Sequence, residues 1–92
     1  MLSEKSLNII YNSMSKRAKE TLQLISEFNM INAKEIQNQM DYSYTKTRET
    51  ILELEHKLLA EKGDRVNKTI PIYLTESGEW LLEKQQREEY DE

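Results

Sequence analysis

The sequence predicts a mainly α domain carrying one small β-hairpin. Three observations carry that prediction. Apolar residues recur at steps of three and four through most of the first 58 positions, the signature of helices with one buried stripe. Serine, threonine or asparagine stands where each stripe begins, as an N-cap does. After Leu58 the period changes: a polar stretch with Gly63, Asp64 and Asn67 leads into Thr69-Ile70-Pro71-Ile72-Tyr73-Leu74, whose β-branched and aromatic content is that of a hairpin strand.

The elements follow in order. Ser3 caps a first helix with Leu7, Ile10, Tyr11 and Met14 on one face. Ser15 caps a second, whose stripe is Ala18, Leu22, Ile25 and Phe28 and whose end is Asn29. Met30-Ile31 is long enough only to add a rung to a small sheet. Asn32 and Glu35 have the spacing of a capping box, and the short helix behind them sets Ala33, Ile36 and Met40 on one face. Asp41-Tyr42 makes a tight break, since Asp tolerates a left-handed conformation. Ser43 caps the longest helix, with Tyr44, Thr47, Ile51, Leu54 and Leu58 as its buried face and Glu53–Lys57 as an i, i+4 pair. Pro71 cannot donate to a ladder, so its strand is expected at a sheet edge or with that residue facing solvent. Thr75 caps a last helix carrying Trp80, Leu81 and Leu82, and beyond Gln85 the polar sequence is expected to fray. The expected core is Leu22, Ile25, Ile36, Ile51, Leu54, Leu58 and Leu74.

A short helix and a longer one joined by a tight turn make a helix-turn-helix, and the hairpin behind it makes the domain winged. The fold class is therefore mainly α with a small β-hairpin, a winged helix-turn-helix. Residues 1–14 are expected as an N-terminal helix and dimer contact, 15–82 as the winged domain, and 83–92 as an acidic helix end or tail.

Composition excludes much else. Ninety-two residues make one small domain. The absence of cysteine removes disulfides, thiolate zinc sites and cysteine nucleophiles. A lone histidine, His56, removes any multi-histidine metal site within one chain and is expected as a surface or half-buried structural residue. With Gly63 and Gly78 as its two glycines, the chain has no phosphate-cradling loop and no nucleophile elbow. No enzyme, metal or cofactor is expected. Apolar runs of two or three residues cannot span a membrane, and Met1-Leu2-Ser3-Glu4-Lys5 has no apolar core of a secretion signal. A cytoplasmic protein is expected.

Net charge is −4, unevenly placed. Residues 1–74 carry 11 basic and 10 acidic side chains, and residues 75–92 carry 2 and 7. The acidity sits at the C-terminal end, so the remainder can present a local basic surface.

Residues 18–82 resemble the winged helix-turn-helix of MarR-like and PadR-like regulators. Ile72-Tyr73-Leu74-Thr75-Glu76-Ser77-Gly78-Glu79-Trp80-Leu81-Leu82 is similar to that family's closing pattern: an apolar wing strand, Leu-Thr, two variable residues, Gly, then an apolar helix. Ser43-Tyr44-Thr45-Lys46-Thr47-Arg48, followed by Ile51, Leu54, Leu58 and Leu59, resembles its recognition helix running into the first wing strand. Lys57 stands where the family usually has Gly before the paired apolar residues. The chain is shorter than a typical member and lacks its long flanking helices, which leaves little room for an effector pocket. The resemblance implies a DNA-binding regulator.

The residues agree with that implication. Ser43, Thr45, Lys46 and Arg48 lie in the first turns of the recognition helix (43–58), where hydroxyls and long cations reach phosphates and base edges in the major groove. Lys62, Arg65 and Lys68 surround the wing tip (62–69), placed for the flanking DNA. Tyr42 and Tyr44 are expected to pack. Among Lys16, Arg17 and Lys19, an i, i+4 pair of Lys16 with Glu20 accounts for the cluster more simply than DNA contact. Leu7, Ile10, Tyr11, Met14, Trp80 and Leu81 exceed what one small core needs and are expected at a homodimer interface. The expected function is a homodimeric transcriptional repressor, or a phage or plasmid regulator, bound to double-stranded DNA. The alternatives are a partition-type DNA-binding adaptor whose acidic C-terminal segment contacts a protein partner, and a winged helix used only for protein–protein contact.

Overall fold

The computed structural model describes residues 3–90, with side chains described for 3–85. Among them the elements follow in the expected order: α1 (Glu4–Ser13), α2 (Lys16–Ser26), β1 (Ile31–Asn32), α3 (Ala33–Met40), α4 (Tyr44–His56), β2 (Ala60–Lys62), β3 (Pro71–Leu74) and α5 (Glu76–Tyr90). The first four helices start where a cap stands. Ser3, Ser15, Asn32 and Ser43 are extended, and each side-chain oxygen accepts from the N–H three residues on, satisfying one orphan donor. The Asn32–Glu35 capping box is closed in both directions. Asp41 takes up the left-handed conformation, φ 55°, between α3 and α4.

The hairpin is part of a three-stranded antiparallel sheet of order β1-β3-β2. Ile72 faces Ile31 on one side and Lys62 on the other. Pro71 is accordingly in the central strand and buried, not at an edge or facing solvent. It is tolerated because it is the first residue of β3. Its carbonyl accepts from Gly63 N–H at 2.8 Å, and its missing donor costs a single bond opposite Gly63, one residue past the end of β2.

The core draws on every helix and the sheet. Leu22, Ile25, Ile36, Ile51 and Leu54 are buried as expected, and Leu74 is half-buried against them. Leu7, Met14 and Leu81 are buried in this same core, so they are not part of a free dimer-forming stripe. Ile10, Tyr11 and Trp80 pack half-buried on its margin. Lys19 Nζ lies 4.4 Å over the Tyr11 ring, and Lys84 donates to Asn8, tying α1 to α2 and α5. Phe28 is exposed rather than on the α2 stripe, because α2 stops at Ser26, three residues before Asn29. Ala33 is exposed where a buried face was expected. The α5 backbone stays helical to Tyr90 instead of loosening after Gln85. Most side chains of the acidic segment 83–92 lie outside the described residues.

The end of α4 departs most from the helical stripe. Leu58, expected in the core, is 58% exposed, and Leu59 is buried in its place. Leu58 has φ 61°. Its N–H bonds to Glu55 O and that of Leu59 to Leu54 O, the pair of bonds that closes a helix on a left-handed residue. That position is where glycine is favoured, so the residue in place of the family's Gly is Leu58, not Lys57. The Leu-Thr-x-x-Gly pattern locks onto this turn. Thr75 Oγ1 donates to Leu58 O at 2.6 Å and accepts from Gly78 N–H at 3.1 Å, capping α5, while Thr75 N–H bonds to Leu59 O. A Cβ on Gly78 would collide with the Leu59 carbonyl, so glycine lets α5 approach the backbone here.

A second long-range tie holds α4 from the other side. Glu53 accepts from Ser15 N–H and Ser15 Oγ, 38 residues away in sequence, and pairs with Lys57 at 3.3 Å. Lys57 also donates to Ser13 O. Burial pushes the Glu53 carboxyl up, but the Ser15 and Lys57 bonds outweigh it and hold it below its usual range.

Candidate nucleic-acid interface

The turn at Asp41 and the cap at Ser43 set the first half of α4 on the surface. Thr45, Lys46, Arg48 and Glu49 are exposed, and Thr47 turns inward with its hydroxyl on Ser43 O. Ser43 is exposed, with its Oγ engaged as the cap. Tyr44, expected to pack, is 66% exposed. On a helix it shares a row with Arg48 and Leu52 at steps of four, and that row faces the wing. Tyr42 is half-buried, in keeping with packing.

The wing is closed by a two-residue turn. Val66 and Thr69 exchange both backbone hydrogen bonds, at 2.7 and 2.9 Å. Asn67 and Lys68 between them both have positive φ, 49° and 69°, the geometry that matches the twist of paired strands. Arg65 and Lys68 are exposed near this tip, and Lys62 stands at the base, on the last residue of β2.

Between α3, α4 and the wing runs a groove of about 610 Å³. Lys34, Arg48, Lys62, Arg65 and Lys68 line it, from three separate segments of the chain. Ile51, Ile70 and Ile72 supply apolar surface. Glu55 is the one carboxylate among the described residues of the lining. The groove brings together four of the seven expected DNA-contacting residues: Arg48, Lys62, Arg65 and Lys68. Ser43, Thr45 and Lys46 lie on the adjoining surface of the α4 N-terminus. Lys34 and Tyr44 also line the groove, where the sequence did not place them. The capping box that starts α3 placed Lys34 in its first turn, and the Tyr44–Arg48 spacing placed both on one helix row, but no local signal said which row meets the wing.

Among the cations outside the groove, Lys16 pairs with Glu20 at 3.9 Å, as expected. His56 is exposed. Among the described residues no cluster of His, Cys, Asp or Glu could hold a metal ion, and no helix is long and apolar enough to cross a membrane.

Solved structures share this fold. MepR of Staphylococcus aureus, a transcription regulator of the multidrug efflux pump MepA, superposes with a TM-score of 0.78 at 17% identity over 91% of this chain and 64% of that one. FabT of Streptococcus pneumoniae, in complex with DNA, gives 0.77 at 14% identity over 86% and 57%. The transcriptional regulator SlyA gives 0.76 at 23% identity over 87% and 58%. The fold is a MarR-like winged helix. In this winged helix α3 and α4 form the helix-turn-helix and β2–β3 the wing. The chain spans 57–64% of the length of these proteins. No family model and no curated protein matches the sequence.

Proposed function

We propose that the chain is a DNA-binding transcription regulator that acts as a homodimeric repressor in the cytoplasm, without enzymatic activity. The first turns of α4 enter the major groove with Thr45, Lys46 and Arg48 towards base edges and the Ser43 hydroxyl region against the backbone. The wing tip, Arg65 and Lys68, lies on the flanking phosphates or in the minor groove. Residues 15–82 are the DNA-binding unit. One observation carries the reading: cations distant in sequence converge on the groove beside the exposed start of α4, on a fold that FabT carries in a DNA complex. Two copies meeting through α1 and α5, using Ile10, Tyr11, Trp80 and the exposed Ile9, would set two recognition helices about 34 Å apart, one turn of DNA.

Fluorescence anisotropy on a random AT-rich duplex over a salt series tests this. Binding at low salt should weaken linearly in log–log form, and Arg65→Ala or Lys68→Ala should flatten the slope by about one unit each. No binding at low salt would discard the DNA reading in favour of a protein-binding winged helix. Sedimentation showing only monomer at tens of micromolar, with and without DNA, would discard the dimer.

A further inference from the structure

Glu55 is anomalous where it stands. It lines a groove that otherwise carries five cations. Its side chain is only 26% exposed, and its Oε1 is buried without a hydrogen bond. A carboxylate so placed needs a counter-charge. The Lys62 ammonium, 3.7 Å from Oε1, is its salt-bridge partner. The two residues come from different elements. Glu55 is on the last turn of α4, and Lys62 is the residue of β2 that pairs with Ile72, just before the chain leaves the ladder for the wing tip.

This pairing divides the wing electrically. At the base, Lys62 is neutralised by Glu55. Beyond it, Arg65 and Lys68 form no salt bridge among the described residues. A phosphate approaching Lys62 meets the Glu55 charge as well, so the base of the wing offers it little.

We propose that Glu55 is a positioning residue that holds Lys62 away from DNA, so that the wing binds through its tip alone. The proposal rests on the DNA-binding reading above. It places the effect in the affinity common to all duplexes, because phosphate contacts carry no sequence information. It gives Lys62, expected as a DNA contact, the alternative role of partner to a helix carboxylate.

The test is the salt dependence of duplex binding by four proteins: the unaltered chain, Glu55→Gln, Lys62→Met, and the double variant. Releasing Lys62 adds one phosphate contact, so Glu55→Gln should steepen the log–log slope by about 0.9 and tighten binding about five-fold at 0.15 M salt, on random and selected duplexes alike. Lys62→Met should leave the slope unchanged, since no contact is lost. The double variant should show the unaltered slope, because the steepening needs Lys62. A purely structural role for Glu55 would shift thermal stability and not produce a slope change that disappears with Lys62.

Two results would overturn the proposal: an unchanged slope in Glu55→Gln, or a slope flattened by about 0.9 in Lys62→Met. The second would mean that Lys62 already sits on a phosphate, and it is measured on a residue whose side chain is half exposed. If the unaltered chain binds no duplex at low salt, the DNA reading itself has failed, which is a distinct outcome.

Discussion

The two halves of α4 use the same helix for opposite purposes. From Tyr44 to Glu49, Thr47 alone is buried. From Thr50 onward, Thr50, Ile51 and Leu54 are buried, and Leu59 follows just past the end. The first half is held by its cap at Ser43. The second is held by the core, by Glu53 on Ser15 and by Thr75 on the Leu58 carbonyl. A helix end that is to meet another molecule has to keep its polar side chains in water until then. Its orientation must come from elsewhere, and here it comes from the opposite end. On the proposed DNA-binding reading, stability and recognition are separable along one helix, and substitutions should sort accordingly.

The largest expected effect is in the anchored half. Leu54→Ala removes a fully buried side chain and should cost about 2–5 kcal/mol in denaturant unfolding. An unchanged midpoint would mean that the anchor lies elsewhere.

In the exposed half, Lys46→Ala or Arg48→Ala should move stability by no more than about 0.5 kcal/mol. If either residue reads a guanine, its loss should weaken binding to a duplex selected from a random pool by about 1–3 kcal/mol, and less on unselected DNA. Should the wing variants lose sequence preference while these keep it, the roles of helix and wing are exchanged.

Glu53→Gln sharpens the comparison through pH. The folded carboxyl lies below its usual value, so its stabilisation is present above the unfolded pKa and is lost as pH falls through the folded one. The variant should be less stable by about 1–2 kcal/mol at neutral pH, somewhat under the full worth of a hydrogen bond to a charged group because the amide oxygen can still accept from Ser15. The difference should shrink in acid. Urea midpoints at neutral and acid pH read this directly, and a gap that stays constant would place the effect in packing.

The smallest expected effect has the opposite sign. Leu58 is in a left-handed conformation that disfavours a Cβ, and it buries little. Leu58→Gly should therefore stabilise by about 0.5–1 kcal/mol, net of the greater entropy of glycine in the unfolded chain. A loss on thermal melting would show that the exposed leucine makes a contact worth more than the strain.

What the sequence by itself determined is local. Capping side chains reach N–H groups three residues away, so Ser3, Ser15, Asn32 and Ser43 mark their helices without any knowledge of the fold. Lys16–Glu20 and Glu53–Lys57 were legible for the same reason, as was the left-handed Asp41, and the order of elements followed from the caps and the change of period. What only the tertiary structure decided involves partners distant along the chain. A stripe at steps of three and four names a face but not its neighbour, so Tyr44 falls on the expected buried face of its helix although it faces the wing. The stripe was also carried through Leu58, because nothing local shows that a helix will close on a leucine. Leu7, Met14 and Leu81 looked surplus until α1 and α5 were seen to share one core. Pro71 looked like an edge residue because strand order is set by pairing with β1, about forty residues earlier. The groove has the same origin: Lys34, Arg48, Lys62 and Lys68 are separated by ordinary sequence, and only the packing of α3, α4 and the sheet brings their charges together, with Glu55 among them.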